Sequence, residues 1–151
     1  FREILKKGEK SLPLTDKRMT RFWITLDQGI DFVIKSLKRM QGGEIFIPKI
    51  PSIYIKDLIK ALSPKTFVKE IGVRPGEKIH EVMCPREFSH LTLEFKDHYV
   101  ITPTIRFDNK LINYKKNNLK EIGKKVKDHF EYNSKNNPHF LSINQIKKLI
   151  D

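Results

Sequence analysis

Helical and strand-like patterns alternate along this chain, and that alternation restricts its possible folds more than any other feature of the sequence. The clearest helix is expected to begin at a capping box formed by Thr25 and Gln28, and to end at Gly42. Apolar residues recur between these ends at helical spacing and predict one buried face. They are Ile30, Val33, Ile34 and Leu37.

The remaining elements are shorter. Helices are expected at Ile55–Leu62 and after a second capping box, Ser142 with Gln145, and weaker helical patterns cover Glu77–Met83 and Leu119–Val126. The expected strands are Phe22–Ile24, Glu44–Pro48, Phe67–Val73 and His98–Ile101. The class is therefore α/β, but the strands are few and no glycine-rich phosphate-binding loop follows any of them. We interpret residues 1–151 as one portion of a larger fold whose first half is missing.

The charge of the chain is strongly positive. Lysine and arginine number 30 against 18 acidic residues, which gives a net charge of +12. This balance predicts attraction to anions, without choosing among nucleic acid, acidic lipid and phosphorylated ligands. The single cysteine, Cys84, allows no internal disulfide, so a cytoplasmic location is expected. No apolar run is long enough to predict a membrane span.

The segment Arg74–Glu77, with the sequence RPGE, predicts a tight turn at the end of a strand. Ligands of open α/β sheets lie beyond the carboxyl ends of strands. A guanidinium there can pair with phosphate oxygens, and an acidic residue three positions later can accept hydrogen bonds from ribose hydroxyls. The alternative is a solvated arginine followed by an ordinary first-turn acid.

A second candidate segment, LTDKRMTRFW, contains Thr15 and Arg21. The Thr15 hydroxyl could contact a base or sugar, and Arg21 could be a second phosphate ligand. The alternatives are a turn residue for Thr15 and a structural ion pair for Arg21.

Two further functions receive weak support. His80, Cys84 and His90 do not follow a known zinc spacing, and Cys84 is better interpreted as a small buried residue. The lysine-rich segment Tyr114–His129 lacks the interleaved aromatic residues of a nucleic-acid-binding motif. Neither a metal site nor a nucleic-acid partner is therefore expected.

Several motifs together resemble a known family. MTRFWIT, GGEIF with PKIPS, and RPGEKIHEVM are similar to the C-terminal half of inverting UDP-N-acetylglucosamine 4,6-dehydratases, which are extended short-chain dehydrogenase/reductases of bacterial glycan biosynthesis, including pseudaminic acid. The resemblance implies the substrate-binding portion of a Rossmann-type fold. It also implies that Thr15, Arg74 and Glu77 contact the UDP-sugar and that Arg21 lies near its diphosphate.

The departures from the family pattern are equally informative. The family binds NADP on a glycine-rich loop and uses a Tyr-x-x-x-Lys pair, and neither motif occurs in this chain. The resemblance therefore implies that the missing N-terminal half binds NADP and carries the catalytic groups, so this chain alone has no catalytic residue and is expected to be inactive. The full-length enzyme would remove water from UDP-N-acetylglucosamine with inversion at C5 and would be a homo-oligomer.

Three alternatives remain open at this stage. One is an epimerase or dehydratase of the same superfamily that uses another UDP-sugar. The others are a basic nucleic-acid-binding module and a non-catalytic remnant of a split gene.

Overall fold

The computed structural model describes residues 1–105 and 112–150. Its helices are α1 (Arg2–Lys6), α2 (Leu26–Arg39), α3 (Ile55–Leu62) and α4 (Ile143–Ile150), with a 3-10 helix at Arg86–Leu91. Its strands are β1 (Ser11–Leu14), β2 (Thr20–Phe22), β3 (Ile45–Pro48), β4 (Ser52–Tyr54), β5 (Phe67–Glu70), β6 (Val82–Cys84), β7 (Thr92–Glu94), β8 (His98–Ile101), β9 (Lys124–Lys125) and β10 (Tyr132–Asn133). The mixed α/β architecture expected from the sequence is confirmed. Within this part of the chain, no helix has the length and apolarity needed to cross a bilayer.

The chain divides into two compact units. The first contains Phe1–Trp23, Ile50–Glu81 and the residues from Asn133 onward, and the second contains Ile24–Lys49 and Val82–Tyr132. Each unit has its own strand pairs and its own apolar cluster.

In the first unit, β1 pairs in parallel with β5, and β2 pairs antiparallel with β4. Leu12 and Leu14 of β1 are almost fully buried and pack with Ile59 of α3. A second cluster joins α3 to α4 through Ala61 and Ile146. The alternating burial along β1 is that of a strand with one face on a core.

In the second unit, β3, β8, β7 and β9 form one antiparallel sheet in that order. Its apolar cluster contains Leu93, Phe95 and Val100. Arg39, at the end of α2, is buried and bonds two carboxylates, Asp97 at 2.9 Å and Glu121 at 2.8 Å. This ion pair network fixes the end of α2 within its unit.

The predicted helix and strand positions are mostly confirmed. α3 has the predicted bounds, and the Thr25–Gln28 capping box begins α2 as expected. The Ser142–Gln145 box precedes α4, with hydrogen bonds in both directions. β2 begins two residues before the strand predicted at Phe22–Ile24, because Thr20–Phe22 is the stretch that pairs with β4.

Two helix predictions were wrong. Glu77–Met83 contains no helix, because the carbonyls of Lys78 and Ile79 accept hydrogen bonds from Arg21 instead of continuing a helical ladder. Leu119–Val126 is a turn that leads into β9.

That turn has two local causes. The Asn117 side chain accepts a hydrogen bond from the Glu121 N–H at 3.0 Å, which offers the backbone an alternative to a helix. Gly123 packs against the Phe95 ring, and Lys120 has a positive φ of 63°.

The predicted buried face of α2 was also wrong. Ile30, Val33, Ile34 and Leu37 are all 47–63% exposed. The side of the helix that carries Phe32, Ser36 and Arg39 is the less exposed one, and the bonds of Arg39 to the two carboxylates hold that side against its unit. Apolar periodicity identified the helix but not the side that the rest of its unit covers.

Candidate functional site

The parallel pairing of β1 and β5 brings two distant loops to one edge of the first unit. Leu14 lies opposite Glu70 at the ends of these strands, and the Ile71 N–H extends the pairing by donating to the Leu14 carbonyl at 2.9 Å. Parallel strands end at the same edge, so Thr15 and the RPGE turn both follow a carboxyl end there. This is where ligands of open α/β sheets bind.

Thr15 and Glu77 are in direct contact at this edge. The Thr15 hydroxyl donates a hydrogen bond to Oε1 of Glu77 at 3.1 Å, although 62 residues separate the two in the chain. The other carboxylate oxygen of Glu77 accepts a long hydrogen bond from the Arg74 N–H at 3.5 Å. The structure therefore brings together three of the four residues that the sequence singled out.

The turn that carries Arg74 has the tight geometry expected from Pro-Gly. The Glu77 N–H donates to the Arg74 carbonyl at 3.0 Å, and Gly76 has a φ of +79°, in the region that favours glycine. The Arg74 side chain is exposed, and its guanidinium forms no ion pair with any carboxylate of residues 1–105 or 112–150. A guanidinium in this state can bind an external anion without first breaking an internal contact.

Arg21 lies in a different environment. Its Nη1 donates to the carbonyls of Thr20 at 2.7 Å and Ile79 at 3.1 Å, and its Nη2 donates to Lys78 at 2.8 Å. Its Nε faces Glu81 at 3.4 Å. Arg21 thus connects β2 to the segment that follows Glu77. The ion pair with Glu81 agrees with the structural alternative considered for Arg21, whereas no sequence pattern predicts its carbonyl contacts. Its contact with a diphosphate stays a prediction.

A buried hydrogen-bond group next to this segment was missed from the sequence. Thr20 is 1% exposed, and its hydroxyl bonds both Nδ1 of His80 at 2.8 Å and the Ser134 hydroxyl at 2.7 Å. Burial, with the positive charges of Lys135, Arg18 and Arg21, lowers the pKa of His80, which favours the neutral imidazole. The sequence offers His80 only as a candidate metal ligand, and no pattern in it predicts the bond to Thr20.

Asp16 shapes the turn after β1. Its carboxylate accepts hydrogen bonds from the Arg18 backbone N–H at 2.7 Å, from Nε at 3.0 Å and from Nη2 at 2.7 Å. These bonds hold the pKa of Asp16 at about 2. The carboxylate is therefore ionised at neutral pH and balances Arg18.

No group of three metal-ligating side chains comes together in the portion of the chain that the structure describes. Cys84 is fully buried, as expected, and its Sγ lies 3.3 Å from the Thr92 hydroxyl. Burial raises the pKa of this thiol, which keeps it protonated.

The described helix starts can be compared with those of a dinucleotide-binding site. Such a site needs a glycine-rich turn between a strand and the first turn of a helix. The described helices after α1 instead begin behind Thr25, Tyr54 and Ser142. None of these three helix starts, in residues 1–105 and 112–150, has the glycine-rich turn that such a site needs.

Comparison with known proteins identifies relatives of this chain. The model of a family described as polysaccharide biosynthesis protein matches residues 1–103. A UDP-N-acetylglucosamine 4,6-dehydratase (inverting) from Campylobacter jejuni is 50% identical over 151 residues, which are 100% of this chain and 45% of that protein. The resemblance found in the sequence motifs is thereby confirmed.

More distant relatives share the same region. A UDP-glucose 4-epimerase from Rickettsia rickettsii is 32% identical across 97% of this chain and 42% of its own length. The X-ray structure of Pen from Bacillus thuringiensis matches with a TM-score of 0.73 and 28% identity, over 99% of this chain and 43% of that one. The chain thus spans less than half the length of the relatives it matches.

Proposed function

We propose that this chain, which belongs to the polysaccharide biosynthesis protein family, is the nucleotide-sugar-binding portion of an inverting UDP-N-acetylglucosamine 4,6-dehydratase. The observation that supports this most is the contact of Thr15 with Glu77 at the carboxyl edge of the β1–β5 pair. This chain is 50% identical in sequence to a protein with that name. The substrate would be a UDP-sugar.

Each residue has a defined part in this proposal. Glu77, an acceptor-only carboxylate held by Thr15, accepts hydrogen bonds from the ribose hydroxyls. The exposed Arg74 guanidinium makes paired, charge-assisted hydrogen bonds to the diphosphate. Arg21 keeps the backbone after Glu77 in place through its contacts with the carbonyls of Lys78 and Ile79. Together these groups bind and orient the sugar nucleotide, which is how a protein lowers the entropic part of a reaction barrier.

The chemistry of dehydration belongs, in this proposal, to the part of the relatives that this chain does not span. NADP would bind there, because the described residues of this chain offer it no cradle. We expect the 151-residue chain alone to bind UDP-sugar and to release no 4-keto sugar in a turnover assay. A cytoplasmic location and homo-oligomeric assembly of the full-length enzyme stay predictions.

Titration of UDP and UDP-N-acetylglucosamine into the chain by calorimetry tests the binding role. Arg74→Ala should weaken the binding of both by about tenfold or more, because a hydrogen bond to a charged group is worth roughly 1.5–3 kcal/mol. Glu77→Gln should weaken binding of UDP and of uridine alike, because it reduces the acceptor strength toward ribose. Arg86→Ala, a change at an exposed arginine of the second unit, is the matched control. Equal affinity in wild type and Arg74→Ala would overturn the proposal.

A second candidate, UDP-glucose 4-epimerase, has the support of the Rickettsia relative. The substrates of the two candidates differ in the hexose, because UDP-N-acetylglucosamine carries an acetamido group that UDP-glucose lacks. Preference for UDP-N-acetylglucosamine over UDP-glucose in the same titration favours the dehydratase, and the reverse preference favours the epimerase.

A further inference from the structure

A basic cavity in the first unit lies among loops that carry the candidate site, but it is lined by different side chains. It has a volume of about 390 Å³, which is within the range of small-ligand sites. Four cationic side chains line it, and they come from three separate parts of the chain: Lys17, Arg18, Lys56 and Lys135. Neither the sequence motifs nor the proposed UDP-sugar contacts assign a role to any of the four.

Two of these cations already have carboxylate partners. Arg18 pairs with Asp16 at 2.7 Å, and Lys17 pairs with Glu70 at 3.2 Å. The other two, Lys56 and Lys135, form no ion pair with the carboxylates of the described residues. Two positive charges at this cavity are therefore not neutralised by the carboxylates of residues 1–105 and 112–150.

The position of Lys56 is set by an aromatic ring. Its Nζ lies 4.9 Å from the centre of the Tyr54 ring, and Tyr54 also lines the cavity. Tyr54 in turn stacks on Phe140, with ring centres 5.0 Å apart. A cation held over an aromatic face is partly ordered before any ligand arrives, which lowers the entropic cost of binding an anion.

The cavity also has a polar wall. His80 and Thr20 line it, and the bond of His80 Nδ1 to the Thr20 hydroxyl fixes the orientation of the imidazole. The charges of Lys135, Arg18 and Arg21 lower the pKa of His80 in addition to burial, whereas only Asp16 opposes them. Three cations and one carboxylate therefore act on the imidazole.

We propose that this cavity binds a phosphate-class anion, and that Lys56 and Lys135 supply the charge that it neutralises. A doubly charged anion matches the two cations that lack carboxylate partners, and phosphate oxygens accept from ammonium groups without demanding a planar geometry. The proposal does not rest on the UDP-sugar function, because its residues and its test are different. The phosphate could be free, or it could be the diphosphate of the nucleotide sugar.

Binding of pyrophosphate by calorimetry tests the proposal. The double variant Lys56→Ala/Lys135→Ala should bind pyrophosphate at least about tenfold more weakly than wild type, because each lost contact is charge-assisted. Lys60→Ala/Lys65→Ala is the matched control, because it removes the same charge from exposed lysines that do not line the cavity. An equal loss in both double variants, or no loss in either, would overturn the proposal.

Two more measurements keep the result independent of folding defects. Lys56→Arg/Lys135→Arg should retain pyrophosphate binding, because it preserves both charges. In NMR titrations of wild type, saturating pyrophosphate should raise the pKa of His80, since a nearby anion stabilises the imidazolium form. An unchanged pKa of His80 at saturation would contradict binding in this cavity.

The source of the phosphate follows from a competition experiment. If the diphosphate of the sugar nucleotide occupies the cavity, UDP displaces pyrophosphate and the Lys56/Lys135 variant loses affinity for UDP but not for uridine. If a separate phosphorylated ligand occupies it, the same variant loses pyrophosphate binding and keeps its affinity for UDP. Failure of the Arg74 test leaves both results interpretable, because Arg74 does not line this cavity.

Discussion

Replacement of Arg21 by alanine should release the segment that follows Glu77 and should lower both the stability of the chain and its affinity for UDP. The guanidinium donates to three backbone carbonyls at 2.7, 3.1 and 2.8 Å. A hydrogen bond from a charged donor is worth roughly 1.5–3 kcal/mol, but water can reach a side chain that is 25% exposed and the three bonds are not additive. We therefore expect the free energy of unfolding to fall by about 2–4 kcal/mol.

Urea denaturation measures this loss, and the midpoint should fall by about 1–2 M for a typical dependence on denaturant. Arg21→Lys is the informative control. It keeps the charge but loses the planar fork that reaches several carbonyls at once, so it should recover less than half of the lost stability. If Arg21→Ala costs less than about 0.5 kcal/mol while UDP affinity falls tenfold, the residue is a direct phosphate ligand and the positioning role is refuted.

Three further predictions concern stability and pH. Gly123→Ala should destabilise the second unit by about 1–3 kcal/mol in urea denaturation, because the added Cβ would lie 2.5 Å from the Phe95 ring. Gly29→Ala, at an open helical position, should instead stabilise the chain by about 0.5–1 kcal/mol. A larger loss of stability in Gly29→Ala than in Gly123→Ala would contradict the packing of Gly123 against Phe95. Val33→Glu should change the free energy of unfolding by less than about 0.5 kcal/mol, since this side chain is 58% exposed, and a loss above about 2 kcal/mol would mean that the α2 face is covered. Burial lowers the pKa of His98, so the unfolded chain takes up a proton that the folded chain resists, and stability should fall as the pH drops below about 6.5. The pKa of His80 is lowered as well, so His98→Gln should reduce that dependence between pH 7 and 5 without abolishing it, and an unchanged slope would exclude His98 as a source.

Local signals in the sequence predicted local structure well. Ile55–Leu62 was assigned correctly as a helix, and both capping boxes form the hydrogen bonds that their spacing implies. The tight turn at Arg74–Glu77 was likewise foreseen from Pro-Gly. Each of these depends on residues within a few positions of one another, where backbone preferences and short-range bonds decide the outcome.

What the sequence could not supply were contacts between distant segments. Apolar spacing predicts one buried face of α2, but a different side of the helix carries Arg39, which bonds two carboxylates 58 and 82 residues away. The contacts of Arg21 with carbonyls 57 and 58 residues later follow no pattern, because any residue can offer a carbonyl. Long-range polar contacts leave no periodic trace in a sequence.

The position of Thr15 beside Glu77 depends on the strand register, and the core fixes that register. Leu12 and Leu14 alternate with Ser11 and Pro13 along β1, and only the leucines are buried. A slip by one residue would turn both leucines to the opposite face. Each buried leucine contributes about 1.5–3 kcal/mol, so the slip would cost roughly 3–6 kcal/mol. A single hydrogen bond of about 1 kcal/mol between Thr15 and Glu77 is too weak to set the pairing itself. The apolar alternation of β1 therefore aligns the two loops, and the polar contact at the site is a consequence of the packing beneath it.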